Sequence, residues 1–197
     1  MQIYDISQEV FGCCVYPGDP APKREVLAEM TRGDACNLTA FSMCAHNGTH
    51  VDAPYHFIEN GKRVDEVPLS VLVGEAFVTR HTGDVTEVDA RRILAAARAV
   101  SGEAAKRILI GGCATVTEAA ATAFRDAGVL LLGNESQTVG PEDAPAAVHR
   151  ILLSAGVVLL EGIRLAQVPE GAYLLSAAPL ALGGADGAPV RAVLLSL

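Results

Sequence analysis

Short apolar runs recur along the second half of the chain, three of them closed by glycine, RILIGG at 107–112, GVLLLG at 128–133 and GVVLLEG at 156–162, with RAVLLSL at 191–197 as the fourth. Runs this short, without polar alternation, predict buried strands. The segments between them carry helical patterns. Residues 89–100 (DARRILAAARAV) are strong helix formers behind Thr86, and Thr115 with Glu118 has the spacing of a capping box that opens a helix towards Asp126, with Gly128 as its stop. A third helix is predicted over 145–155, where Val148, Leu152 and Ala155 recur at helical spacing before Gly156. The first 80 residues differ. Proline and glycine are frequent there, NLTAFSMCAH at 37–46 alternates, and GEAFVTR at 74–80 reads as a strand, so this half is predicted to be mainly β. The two halves together predict an α/β fold, a single domain over 1–197 with mixed sheets packed against two or three helices.

Composition narrows the class. Half of the residues are hydrophobic and 19% are charged, which belongs to a folded globular chain. A formal net charge of −8, with no basic cluster, excludes a nucleic-acid partner, because phosphate binding needs grouped Lys and Arg to displace counterions. No run reaches the roughly 18 apolar residues of a membrane span, and MQIYDISQEVFG lacks the basic start and apolar core of a signal peptide, so the expectation is a cytoplasmic protein. The five cysteines include no CxxC pair and are odd in number; they read as reduced thiols that serve as small packing residues. Cys113, between a strand and a helix, has no partnered base in the sequence to make it a nucleophile.

The chemistry concentrates at 46–57, HNGTHVDAPYHF, which holds three of the five histidines. Gly48 and Pro54 rule out a continuous helix across it. In an extended segment, His46, His50, Asp52 and His56, all even-numbered, project from one face and converge. Imidazole and carboxylate together suit zinc, manganese or iron(II) better than calcium or magnesium. A complete site needs a second source of ligands, and His149 followed by Glu161 is the candidate. Glu161 ends an otherwise apolar run, where a buried carboxylate is costly without a cation. His81, in TRHTGD, reads as a solvated turn residue.

The segment at 46–56 closely resembles the HxGTHxDxPxH signature of the cyclase-type metal-dependent hydrolases, a family that includes bacterial kynurenine formamidases and isatin hydrolases. The resemblance extends to VYPGDP at 15–20, to HRILLSAGVVLLEG at 149–162 and to PLALGGADGAPVRAVLL at 179–195, and so covers nearly the whole chain. It implies a swivelling β/β/α fold, a homodimer or larger homo-oligomer, and one or two divalent ions per subunit, Zn2+ or Mn2+. By the same resemblance His46, His50 and Asp52 hold a first ion, Asp52 bridges to a second held by His149 and Glu161, and His56 transfers protons. Tyr16 stands where formamidases have a tryptophan against the substrate ring, and this chain has no tryptophan. GNESQTVGP at 133–141 is similar to a loop near the family's site, which puts Glu135 and Thr138 in the pocket, with a plain turn as the alternative.

The function this implies is hydrolysis of an amide or lactam bond of a small molecule by metal-activated water, with His56 as proton shuttle. A histidine, ordinarily titrating near pH ~6.5, exchanges protons near neutrality, which suits that role. Two alternatives use the same residues: a cyclase or dehydratase on the same metal, and a non-catalytic protein that binds a small acid.

Overall fold

The computed structural model describes residues 1–196. Its strands and helices are, in chain order, β1 (Ile3–Asp5), β2 (Lys23–Ala28), β3 (Leu38–Ser42), β4 (His50–Asp52), α1 (Leu69–Leu72), β5 (Val73–Arg80), β6 (Gly83–Val85), α2 (Glu87–Val100), β7 (Arg107–Gly111), β8 (Ala114–Val116), α3 (Glu118–Asp126), β9 (Leu131–Asn134), α4 (Ala146–Leu153), β10 (Val158–Glu161), β11 (Gly171–Ser176), β12 (Gly187–Pro189) and β13 (Val193–Ser196). Nine strands form one mixed sheet in the order β1-β13-β11-β5-β7-β9-β10-β4-β12. The centre, β5-β7-β9-β10, is parallel because helices connect its strands; the flanking strands pair antiparallel. The predicted α/β class with mixed sheets is what forms.

The apolar runs alternate between two cores. Ile108, Ile110, Leu132 and Leu159 point to the face covered by α2, α3 and α4, where Ile93, Leu94, Phe124, Val148 and Leu152 pack on them. Leu109, Leu131 and Leu160 point the other way. That second face lies away from these three helices and has only the short α1, through Val71 and Leu72, as helical cover. It buries itself by curling, so that Val51 and Ala188 from one end of the sheet share a core with Tyr173 and Leu194 from the other.

Several boundaries moved for identifiable reasons. Helix α2 begins at Glu87, two residues before the predicted start, because Thr86 and Asp89 form a reciprocal capping box. The predicted cap of α3 was misplaced. Thr115 is taken into β8, opposite Asp84, and Thr117 caps the helix by accepting from the Ala120 amide. Strand β9 starts at Leu131 rather than 128, since Gly128 (φ 77°) turns the chain out of α3 and Val129 still bonds back to Phe124. The last predicted strand appears as β13; its final residue, Leu197, lies outside the described residues. No helix among the described residues is long and apolar enough to cross a membrane.

The thiols do not pack as expected. Cys14, Cys36 and Cys113 are exposed, and Cys13 and Cys44 are half-buried, because all five sit in loops and turns rather than on strand or helix interiors.

Phe124 is fully buried between α3 and the helix-covered face. Phe124→Ala is expected to lower stability by about 3–5 kcal/mol, from lost transfer energy plus a cavity. Urea denaturation measures this, and a loss below about 1 kcal/mol would mean the helix layer is not packed as described.

Candidate metal centre

The site forms where β4 enters the sheet beside β10. Their antiparallel register sets His50 opposite Glu161 and Asp52 opposite Leu159, so all three polar side chains lie on the helix-covered face. Helix α4 packs over this face and carries His149 into it. All four polar residues are buried. The turn before β4 is held against the end of β10: Thr49 Oγ1 donates to the Gly162 carbonyl (2.8 Å), and Gln137 Nε2 donates to the Gly48 carbonyl (3.1 Å). Gly162 (φ 67°) permits this approach, since a Cβ there would lie 2.2 Å from the Gly48 oxygen.

The expected one-face extended segment is corrected in part. Only His50 and Asp52 share a strand; His46 lies in the turn before it, and His56 ends a 3-10 turn, Pro54–His56, started by the proline. The two outer rings still converge, stacking at 4.0 Å between centroids.

Asp52 is the hub. His46 Nδ1 lies 2.8 Å and His50 Nε2 3.3 Å from Asp52 Oδ1, while His149 Nε2 lies 3.5 Å from Asp52 Oδ2. Glu161 closes the group, its Oε2 3.4 Å from His50 Nε2 and its Oε1 3.3 Å from His149 Nε2. The donor atoms around Asp52 fall into two sets sharing that carboxylate, His46, His50 and Asp52, and Asp52, His149 and Glu161, and a third group, His46, His56 and Asp186, adjoins them through His46. Within each set they lie no more than 4.8 Å apart.

The tautomers test whether a cation fits. His50 Nδ1 donates to the Gly48 carbonyl (3.0 Å) and His149 Nδ1 to the Pro145 carbonyl (2.9 Å). Each ring therefore turns its Nε2 lone pair inward, as metal-ligating histidines do. Asp52 Oδ2 is buried with no hydrogen-bond partner. Lone pairs facing carboxylates in a buried space repel unless a cation or protons lie between them. The residues fit a divalent metal.

Without metal, protons take that place. Burial opposes charge on these rings, but the carboxylates outweigh it: Asp186 and Asp52 raise His46 to about 10, and Asp52 and Glu161 raise His50 and His149 to about 10. Asp52 is held well below the usual carboxylate range, its burial being overcome by the imidazoles of His149, His46 and His50 that face it.

Beyond this centre opens a cleft of about 410 Å³, lined by Tyr16, His56, Phe57, Thr138 and Asp186 among others and by no lysine or arginine. Tyr16 and Thr138 thus sit where the sequence placed them. Glu135 does not. Its carboxylate accepts from the Gly112 amide (2.6 Å) and the Leu165 amide (2.7 Å), so it braces two loops. Asp186 was not singled out in the sequence, although it is the only carboxylate in GGADGAP at 183–189. Its Oδ2 accepts from His46 Nε2 (2.8 Å) and His56 Nδ1 (3.1 Å), which holds it far below the usual carboxylate range. A lone acid in a glycine-rich loop was the available signal.

Comparison with known proteins bears on this geometry. Residues 4–117 match the family model Cyclase, described as "Putative cyclase". A kynurenine formamidase from Salinibacter ruber (strain DSM 13855 / M31) is 35% identical, the alignment covering 98% of this chain and 97% of that protein. The chain belongs to the Cyclase family. A solved protein described as a potential metal-dependent hydrolase with cyclase activity superposes with a TM-score of 0.82 at 30% identity, over 98% of this chain and 96% of that one. Isatin hydrolase A from Labrenzia aggregata, bound to benzyl benzoate, shares the cyclase fold at 22% identity, with a TM-score of 0.81 over 100% of this chain and 94% of that one.

The raised histidines make the metal-free protein pH-dependent. Their folded values near 10 lie above the unfolded value near ~6.5, so the stability they contribute is complete below that pH and is lost as pH rises towards 10. The midpoint temperature of chelator-treated protein is expected to fall between pH 7 and 9.5, and added metal to flatten the curve. A flat curve for the metal-free protein would contradict this arrangement of charges.

Proposed function

We propose that this Cyclase family member hydrolyses the carbon–nitrogen bond of an aryl formamide, with N-formylkynurenine as the first candidate substrate. The chain is a metal-dependent amide hydrolase. The single observation that carries the proposal is the pair of donor sets sharing Asp52, with His56 beside them on the wall of an open cleft. The shared carboxylate supports two ions, and the mixed imidazole and carboxylate donors suit Zn2+ or Mn2+.

A bound divalent ion supplies an activated water and a Lewis acid for the carbonyl. The protein's own residues do the rest. His46, His50, Asp52, His149 and Glu161 hold the ion or ions. His56 moves the proton to the leaving nitrogen at Nε2, because its Nδ1 is engaged by Asp186. Tyr16 and Phe57 offer aromatic faces on the cleft wall, and Tyr16 is fixed by its hydroxyl, which donates to the Glu142 carbonyl (2.7 Å). That fixed ring is a platform for an aromatic substrate in a chain with no tryptophan.

We also propose a homodimer. The β2–β3 hairpin forms its own two-stranded sheet and exposes Val26, Leu27, Leu38 and Phe41. Two-stranded ribbons are marginal alone, and such an apolar surface calls for a cover. Five free thiols support a reducing, cytoplasmic setting.

Loss of N-formylkynurenine is measured with zinc- or manganese-loaded protein against a chelator-treated control. Metal-dependent turnover is expected. No turnover by folded, metal-loaded protein would remove the formamidase assignment and turn the search to lactams. His56→Ala is expected to keep metal and lose about 10²–10⁴-fold in kcat, and Asp52→Ala to lose both. Full activity in His56→Ala would overturn the proton-transfer role. Light scattering is expected to give twice the monomer mass for the wild type and the monomer mass for Leu38→Glu/Phe41→Glu; a monomeric wild type would refute the dimer.

A further inference from the structure

Three imidazoles converge on Asp52, and two of them have their outer nitrogen fixed by a backbone carbonyl of their own neighbourhood. His46 is the exception. Its Nδ1 faces Asp52 and its Nε2 meets a side chain 140 residues away, Asp186. The same oxygen, Asp186 Oδ2, also accepts from Nδ1 of His56. One carboxylate atom therefore holds both the outer ring of the first donor set and the ring proposed to move the proton.

The loop that carries Asp186 is built to keep it there. The Ala53 amide, between Asp52 and Pro54, donates to the Asp186 carbonyl (2.9 Å), and the Val64 amide donates to Ala185 (2.9 Å). Gly187 pairs with Asp52 across β12 and β4. A Cβ at Gly187 would lie 2.7 Å from His46 Cε1, so only glycine lets the loop come this close to the ring. The carboxylate is locked to the strand bearing the hub residue, from the side opposite β10.

The geometry points to Asp186 as a positioning residue that selects the tautomers of His46 and His56 together, making Nδ1 the metal-facing atom of His46 and Nε2 the proton-transferring atom of His56. The inference rests on the proposed proton-transfer role of His56. It goes further by joining metal binding and proton transfer through one side chain that holds neither the ion nor the substrate's reacting atoms. A carboxylate does this because it is acceptor-only, so each ring must bring it an N–H. Hydrogen-bond partners of metal-bound imidazoles commonly alter metal affinity by about 10- to 100-fold when removed.

The test uses the full-length, zinc-loaded protein with 15N-labelled histidine. In the wild type, protons are expected on Nδ1 of His56 and on Nε2 of His46; protons on the opposite nitrogens would overturn the inference without any variant. In Asp186→Asn these signals are expected to shift or exchange, because the amide can present either a donor or an acceptor to each ring. Zinc affinity, read by competition with a chromophoric chelator, is expected to fall about 10-fold or more. At saturating zinc, kcat is expected to fall at least about 10-fold with little change in KM, whereas in a His56→Ala background the same change should cost less than about threefold. Wild-type zinc affinity with unmoved imidazole signals would refute the positioning role, and additive losses in kcat would refute the link through His56. Failure of the parent proposal looks different: His56→Ala would then keep its turnover while the imidazole signals and zinc affinity still responded to Asp186→Asn.

Discussion

The structure depends on a buried convergence of like-natured groups. Asp52 and Glu161 bring two carboxylates into a mainly apolar interior, and three imidazoles turn lone pairs or shared protons towards them. Such a cluster is unfavourable by itself: desolvation is large, and the attraction between partners offsets it only if positive charge lies among them. Protons can supply that charge, which is why three histidines stay protonated far above their ordinary range in the absence of metal. A divalent ion supplies it better, with donors already aimed.

The rest of the fold serves this convergence. Parallel strands β7, β9 and β10 form a core packed on both faces, and β4 joins its edge antiparallel, which allows a short strand to sit beside β10 without a crossover helix. Glycine marks the points of closest approach. Gly162 admits the histidine turn against the end of β10, and Gly187 admits the C-terminal loop against His46. The site is thus clamped from two sides by backbone, with α4 closing the third. Its fourth side is the cleft, where Tyr16, Phe57 and Asp186 meet solvent.

Membership of the Cyclase family and the arrangement of the centre agree with each other on independent grounds, one from alignment across the chain and one from tautomers and distances. The cleft wall extends beyond the donor sets. A tyrosine braced by a backbone carbonyl lines it, and the rest of its lining includes carboxylates and histidines but no lysine or arginine.

Local chemistry made much of this legible in the sequence. Apolar runs bounded by glycine located β7 and β10 because a strand buried on both faces admits few polar residues, and Glu161 stood out for the same reason, as a charge in an otherwise apolar run. The density of histidine around Asp52 singled out the segment 46–56, since few other uses concentrate imidazole so closely, and the assignment of His46, His50 and Asp52 to one ion came from the family resemblance. Tertiary structure alone decided the remainder. Thr115 lost the capping role to Thr117 because β8 paired with β6, an interaction between residues about thirty apart in sequence. His46 and His56 came together by a turn and a 3-10 bend rather than along a strand, and Asp186 reached them from 130 and 140 residues away. Sequence fixes which groups can donate or accept and how regular segments repeat; which distant carboxylate accepts a given imidazole proton depends on how the sheet curls, and that is set only when the whole chain packs.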